Sequence, residues 1–288
     1  MTLQILPNPP RQVIGPEVIL GTAYTGPMVV SSAKHTLEDF EFDRLELRNS
    51  IPDGQQAKWG ILLYNEVRSH YSKLKVSGID KEHGIYAHSP RGGYTHDGTE
   101  VFDVGAQGLQ VVYRSVESDT PNGHLETGVH QLLSCSFRRC GQPRGYGRAS
   151  YAVSFFGYQN GDGSAAQEPW DCPVRIVDTV IEHLPWGEPV PYERRGALLV
   201  IGRPRLEVVG GATLYGTWAD RPVWKLRGVR EVLVTGHEFD SSKHIEIEDL
   251  PGQPVERVFF GGCTGRPCSI RVNGLLIGNT SRNVRWSR

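Results

Sequence analysis

A group of carboxyl side chains near the middle of the chain has the residue types needed for glycoside hydrolysis. Asp97, Glu100 and Asp103 lie close together in the sequence, with His96 beside them. Glycosidases place two carboxyls about 5 to 10 Å apart, one with a raised pKa that donates a proton and one ionised. Asp97 paired with Glu100 or with Asp103 would meet that need. These four residues are therefore the candidate catalytic residues.

The same region also has the residue types for a lyase. Lyase chemistry needs a base beside a neutralised sugar carboxylate, and Arg91, Tyr94 and His96 are suitable side chains. Residues 95–99 are equally typical of an ordinary polar turn, which needs no chemistry at all. Catalysis here is one alternative and a solvated turn is the other.

Aromatic side chains nearby form a candidate glycan-binding surface. Tyr64, Tyr86 and His88 are predicted to stack on the outer face of neighbouring strands, with Arg91 and Tyr94 close by. A sugar ring presents an apolar face and polar edges, which suits aromatic rings with polar tips. The alternative is that a loop or a neighbouring subunit covers these side chains.

The element that positions these residues is a repeated strand. Gly60, Gly84 and Gly108 recur at equal intervals, and each is followed by alternating apolar and variable residues. Alternation of period two at a fixed interval is typical of stacked coils, each of which covers the next. We expect the residue after each glycine to point inward, and glycine to be required there by a tight corner with positive φ.

A second pattern of apolar residues, offset from the first, supports the same interpretation. An apolar-x-apolar-x-x-small sequence recurs, and its last three copies are equally spaced. Two strands in each period of about 24 to 26 residues predict an all-β fold, a parallel β-helix. The copies are Leu74/Val76/Ile79, Cys135/Phe137/Cys140, Leu206/Val208/Gly211, Val232/Val234/His237 and Val258/Phe260/Cys263.

Composition limits the other possibilities. The chain has 34 Gly and 19 Pro in 288 residues and a formal charge of −1, with no basic stripe. We therefore expect neither nucleic acid nor membrane as a partner, and no cofactor. Residues 1–15 lack the apolar run of a signal peptide, which predicts synthesis without ordinary export. Three of the five cysteines, Cys135, Cys140 and Cys263, fall on inward positions of the repeat and are expected to be small apolar fillers of the stack, not half-cystines.

No metal site is expected. His83 and His88 are separated by an odd number of positions, which on one strand would place them on opposite sides. Glu246, Glu248 and Asp249 could hold calcium, although a solvated face is the simpler interpretation.

The chain divides into two regions. Residues 1–35 fit no repeat and are predicted to form an irregular N-terminal arm, which either caps the first coil or binds a partner protein. Residues 36–288 are predicted to form the β-helix domain. Loops at 116–127, 158–170 and 185–195 interrupt the repeat and are expected to border a groove.

The repeats resemble those of the right-handed parallel β-helix proteins, the pectate-lyase-like superfamily. The resemblance rests on residues 59–61, 82–86 and 107–109 with the strands that follow, and it covers about residues 40–286. That superfamily includes polysaccharide lyases, glycoside hydrolases and phage tailspikes, so the fold alone does not fix the function. The paired Asp motifs of polygalacturonases and the calcium-binding Asp set of pectate lyases are not identifiable here.

Two hypotheses follow. The first is a structural protein of a bacteriophage virion, such as a capsid decoration protein or a short tailspike-like component. The resemblance implies a homotrimer, contacts with other virion proteins through the N-terminal arm, and an outer face that recognises carbohydrate. The second is a polysaccharide lyase or glycoside hydrolase acting in a groove near residues 82–103. The absent export signal favours the first, because phage proteins leave the cell by lysis.

Overall fold

The structure is a computed structural model, and the part of the chain that it describes is all-β. The described residues are 3–5, 13–15, 18–20, 27–31, 37–49, 59–79, 82–114, 128–141, 151–159, 172–183, 196–215, 222–241 and 243–288. The predicted loops at 116–127 and 185–195, and most of the one at 158–170, lie outside these residues. No helix among the described residues is long and apolar enough to cross a membrane.

The strands follow one another in short, regular steps. In chain order they are β1 (Leu3–Ile5), β2 (Val13–Ile14), β3 (Val18–Leu20), β4 (Pro27–Ser31), β5 (Leu37–Glu38), β6 (Glu41–Asp43), β7 (Glu46–Arg48), β8 (Trp59–Tyr64), β9 (Glu66–Ser72), β10 (Lys75–Ile79), β11 (Ile85–His88), β12 (Arg91–Asp97), β13 (Glu100–Val104), β14 (Leu109–Arg114), β15 (His130–Leu133), β16 (Ser136–Cys140), β17 (Tyr151–Gln159), β18 (Val174–Val177), β19 (Val180–His183), β20 (Gly196–Val209), β21 (Ala212–Tyr215), β22 (Trp224–Thr235), β23 (Glu238–Asp240), β24 (Ile245–Glu248), β25 (Arg257–Gly261), β26 (Thr264–Gly265), β27 (Ser269–Val272), β28 (Leu275–Asn279) and β29 (Val284–Ser287).

These strands stack in parallel on three faces. The first face runs β1, β4, β8, β11, β14, β17, β20, β22, β24, β27. The second runs β2, β6, β9, β12, β15, β18, β20, β22, β25, and the third runs from β3 through β7, β10, β13, β16, β19, β21 and β23 to β26. One strand from each face makes one coil. The predicted all-β architecture with large parallel sheets is confirmed.

The glycine-led repeat has the predicted register. Ile61 pairs with Ile85 and Ile85 with Leu109, so three coils repeat at the interval of the glycines on the first face. All three side chains are fully buried, as expected for positions that point inward. Leu198 pairs with Trp224 in the same way in a later coil.

The reason for glycine at these positions differs from the one predicted. Gly60, Gly84 and Gly108 are not among the residues with positive φ. A Cβ at Gly84 would lie 2.7 Å from Val101 Cγ1 and 2.8 Å from Gly108 O. The corner is therefore closed by close packing between coils, and glycine is needed because there is no room for a side chain.

A repeated geometry at the corner between the second and third faces explains the second repeat. From β6 onward each corner has two residues, of which the first has positive φ and the second lies at the start of the third face. The first residues are Arg44, Lys73, Gly98, Ser134, Asp178, Gly210, Gly236 and Gly262. Cys135 is therefore equivalent to Gly211, His237 and Cys263. The two copies of the pattern at 74–79 and 135–140 belong to the third face, and the three later copies belong to the second.

The described part of residues 1–35 consists of strands that continue the stack. β1 pairs with β4, β2 with β6 and β3 with β7, all in parallel. β4 in turn pairs with β8. These pairings supply one strand on each face below the coil that contains β4, β6 and β7.

Candidate functional site

A β-bulge decides how the polar residues between 82 and 103 are arranged. The pairing of β12 with β9 shifts between Arg91 and Tyr94, where Gly92 and Gly93 take φ values of 63° and 109°. Arg91, before the bulge, is largely buried. A bulge of this kind re-aims the side chains that follow it. The sequence alternation alone does not reveal it.

Tyr94 and His96, which follow the bulge, lie inside the solenoid. Both are fully buried, and the His96 ring stacks on Tyr71 with 4.2 Å between ring centroids. Burial lowers the pKa of His96 to about 3, so the imidazole is neutral at ordinary pH, with Nδ1 3.1 Å from the Thr99 hydroxyl. Both residues were predicted to belong to an outer site. Their position in the core corrects that assignment, because a polysaccharide on the surface cannot contact them.

The three candidate carboxyls lie on the outside, and two of them have basic partners in neighbouring coils. Glu100 is 3.4 Å from Lys75 Nζ, and Asp103 is hydrogen-bonded to the guanidinium of Arg139. Asp97 is exposed at the end of β12. Glycosidase chemistry needs two carboxyls that face the substrate. Glu100 and Asp103 are instead engaged in ion pairs that join neighbouring coils.

These ion pairs belong to a wider pattern of charges matched between coils. Each of the following pairs joins two residues that stand in direct register on successive strands. The pairs are Lys75–Glu100 at 3.4 Å, Arg175–Glu207 at 3.8 Å, Lys225–Glu246 at 2.9 Å, Arg227–Glu248 at 3.2 Å and Glu231–Arg257 at 3.5 Å. Cross-strand pairs of opposite charge stabilise a sheet. The five glutamates of these pairs therefore help to hold successive coils in register.

Three residues of the candidate glycan site, Tyr64, Tyr86 and His88, stack on the outer side of the first face. The rings of Tyr64 and His88 are stacked 4.6 Å apart, and His88 lies 4.2 Å from Tyr86. Leu62 and Val112 pack with them in an apolar cluster outside the main core. We call Tyr64, Tyr86 and His88 the aromatic ladder.

The aromatic ladder is mostly covered. Tyr86 is 8% exposed and His88 4%, whereas Tyr64 is half-buried. Glu82 and His83, at the neighbouring corner, are also half-buried. The accessible part of the ladder is therefore the rim formed by Tyr64. Tyr86 and His88 can support a ligand there by holding Tyr64 in place.

The spacing of His83 and His88 predicts that they lie on opposite sides of the sheet, but in the structure they lie on the same side. Both rings contact Tyr86, with centroid distances of 4.7 and 4.2 Å. The reason is that β11 begins at Ile85, so His83 lies in the corner where strand alternation does not apply. Within the described residues, no group of three or more His, Cys, Asp or Glu side chains is placed to hold a metal ion.

Two buried ionisable residues, Glu66 and Arg203, are not predictable from the sequence pattern. Glu66 is fully buried and accepts a hydrogen bond from the Tyr71 hydroxyl. Burial raises the pKa of Glu66 to about 7, although the bond from Tyr71 opposes this shift. A glutamate at the start of an alternating strand is usually exposed, so the sequence does not mark Glu66 as buried. In the structure it directly follows Asn65, whose φ is 53°.

Arg203 is a second buried ionisable residue. Its guanidinium donates to the carbonyl oxygens of Cys172 and Phe156, each at 3.1 Å, and lies 3.3 Å from His130 Nδ1. Burial lowers the pKa of Arg203 to about 9 and also lowers that of His130. The contacts connect three coils. Arg203 therefore acts as an internal brace.

The fold and these sites define an all-β protein with long parallel sheets, compatible with a parallel β-helix. Comparisons with protein families, with curated proteins and with solved structures find no match to this chain.

Proposed function

We propose that this chain is a right-handed parallel β-helix of the pectate-lyase-like type that serves as a structural protein of a bacteriophage virion. The observation that carries the proposal is the matching of outer charges between coils, which commits Glu100 and Asp103 to ion pairs with Lys75 and Arg139. A surface built in this way favours a rigid scaffold over a catalytic groove. The proposed assembly is a homotrimer.

The test of this role is the composition of phage particles. Phage particles purified from a lysate of cells that produce the chain are analysed by quantitative mass spectrometry, and the recombinant chain is measured by light scattering. We expect the chain in the particle fraction in amounts comparable to other structural proteins, and a trimer in solution. A chain found only in the soluble fraction would contradict the proposal.

We further propose that carbohydrate binds at the rim of the aromatic ladder. Tyr64 is half-buried with its ring stacked on His88, which leaves one aromatic surface held in a fixed orientation. A rigid aromatic surface is suited to the apolar face of a sugar ring. Tyr94 is no longer part of this site, because it lies in the core.

Binding is tested with purified bacterial surface polysaccharides immobilised on an array. Tyr64→Ala is expected to weaken binding about tenfold or more, as for loss of one aromatic contact, whereas Tyr64→Phe retains it. The same polysaccharides are assayed for new reducing ends and for unsaturated uronate products. Cleavage that disappears in Asp97→Asn would support the enzymatic alternative instead.

A further inference from the structure

The C-terminal end of the stack differs from the rest in direction and in charge. β28 pairs antiparallel with β27, and β29 pairs antiparallel with β25, so the two strands form a last rung on the first and second faces. β28 and β29 each have one hydrogen-bonded neighbour among the described strands. No described strand pairs with their other edges, and an unpaired strand edge is a template for pairing with another chain.

The first half of this rung is apolar and exposed. Leu275 is 66% and Leu276 62% exposed, the highest values among the large apolar side chains of the described residues. Leu275 lies opposite Val272, which points inward and is buried, but no described strand covers Leu275. The turn that joins the strands, Asn273–Gly274, has positive φ at both residues, as in a tight two-residue hairpin. The exposed leucines therefore directly follow an ordered turn.

The charge of this region is strongly positive. Residues 251–288 contain six arginines and one acidic residue, Glu256, whereas the whole chain has a formal charge of −1. Three of these arginines, Arg257, Arg266 and Arg288, pair with acidic residues of earlier segments. The other three, Arg271, Arg282 and Arg285, are exposed and form no ion pair with the described residues. Arg271 stands directly opposite Leu276.

We propose that the last rung binds an extended, acidic protein segment, which adds a strand to the open edge and places its carboxylates against Arg271, Arg282 and Arg285. Strand addition supplies main-chain hydrogen bonds, and the side chains supply specificity. Leu276 provides apolar contact on the side of the sheet that carries Arg271, and Leu275 provides it on the opposite side. The arginines attract acidic residues.

Two other classes of partner fit the same surface less well. A lipid bilayer would leave the open edge of the rung unsatisfied, and exposed sheet edges do not occur in the hydrocarbon region. Nucleic acid binding uses aromatic stacking or tracks of basic residues along a groove, whereas this strand edge exposes two leucines. An acidic strand satisfies the edge, the leucines and the arginines together.

The test measures binding of fluorescent peptides to the full-length protein by fluorescence anisotropy. The probe is a ten-residue peptide of alternating Glu and Val, and the comparison peptide has Lys in place of Glu. We expect the Glu peptide to bind at least about tenfold more tightly, with affinity falling as salt is added. A Glu peptide with N-methyl groups on alternate residues tests strand pairing and is expected not to bind.

Two variants locate the binding surface. Leu275→Ser with Leu276→Ser removes the apolar contact, and Arg271→Gln with Arg282→Gln and Arg285→Gln removes the charge. Both are expected to weaken binding about tenfold, because each removes one kind of contact with the peptide. The replaced side chains are exposed, so neither variant is expected to unfold. The matched control replaces Arg44, Arg48 and Arg68 by Gln, which makes the same charge change near the other end and is expected to leave binding unchanged.

Several results would overturn the proposal. Equal affinity for the Glu and Lys peptides would exclude charge recognition, and full binding by the N-methylated peptide would exclude strand addition. Vesicles containing phosphatidylglycerol and a DNA duplex serve as further probes. Tighter binding to either of these than to the Glu peptide would assign the surface to a membrane or to nucleic acid.

Discussion

The hydroxyl of Tyr71 donates a hydrogen bond to the carboxyl of Glu66 inside the stack, where both side chains are fully buried. Burial favours the neutral form of a carboxyl, because the ionised form loses its hydration and has few hydrogen-bond donors to replace it. This pair therefore ties the stability of the fold to pH.

Glu66→Gln is expected to stabilise the protein at alkaline pH. The pKa of Glu66 is about 7 in the folded chain, above its ordinary value of 4.5, so the contribution of Glu66 to stability is present below pH 4.5 and is lost as pH rises through 7. Gln can still accept the bond from Tyr71 but does not ionise. Between pH 4 and pH 8, the stability of the variant relative to the natural protein should rise by up to ~3 kcal/mol. Urea unfolding at the two pH values measures this, and a difference independent of pH would contradict it.

His96→Phe is expected to protect the protein against acid. The pKa of His96 is lowered to about 3 by burial, so its contribution is present above pH 6.5 and is lost as pH falls toward 3. Phe keeps the stacking on Tyr71 and takes up no proton. Between pH 7 and pH 3, the natural protein should lose up to ~4 kcal/mol more stability than the variant. Acid unfolding followed by circular dichroism measures this, with His70→Phe on the outer side of the neighbouring strand as the control.

Gly84→Ala is expected to destabilise the stack. The added Cβ would lie 2.7 Å from Val101 Cγ1 and 2.8 Å from the backbone oxygen of Gly108, so two coils must separate. Overpacking of this kind costs ~1–3 kcal/mol. Gly252→Ala is the control, because its Cβ would meet no atom within 4 Å although its φ is 74°. Thermal melting should show a larger loss for Gly84→Ala, and equal losses would argue against the packing explanation.

Arg203→Met is expected to cost ~2–4 kcal/mol, because the carbonyl oxygens of Cys172 and Phe156 would lose a buried donor. Arg205→Met, two residues away on the same strand, is the matched control. Arg205 is 44% exposed and lies 3.7 Å from Glu207, so its loss should change the unfolding free energy by no more than ~0.5 kcal/mol. Urea unfolding of both variants makes the comparison, and similar losses would show that Arg203 is not a brace.

The sequence predicts the coils well where the repeat is uninterrupted. The equal spacing of Gly60, Gly84 and Gly108 fixes the register on the first face, because period-two alternation requires one side of each strand to be covered. The prediction that these glycines have positive φ is wrong. They are required by close packing between coils, which a single sequence does not reveal.

The candidate site was less predictable. Residue types alone placed Tyr94 and His96 with Asp97, but the bulge at Gly92–Gly93 sends the first two into the core. Glu66 and Arg203 were missed because charged residues are seldom buried, and only three-dimensional contacts identify their partners. The ion pairs of Glu100 and Asp103 likewise join residues that lie on different coils and far apart in the sequence.

The two-residue corner between the second and third faces has a consequence for how such a protein can be altered. Eight successive coils from β6 to β26 turn there through two residues, the first of which always has positive φ. The connections at the other two corners vary in length. Inserted peptides, such as epitopes or affinity tags, should be accepted between β14 and β15 or between β19 and β20. A single residue added at the fixed corner would instead shift one coil against both of its neighbours. Whole coils, cut at that corner, are the natural units for lengthening or shortening the protein by design.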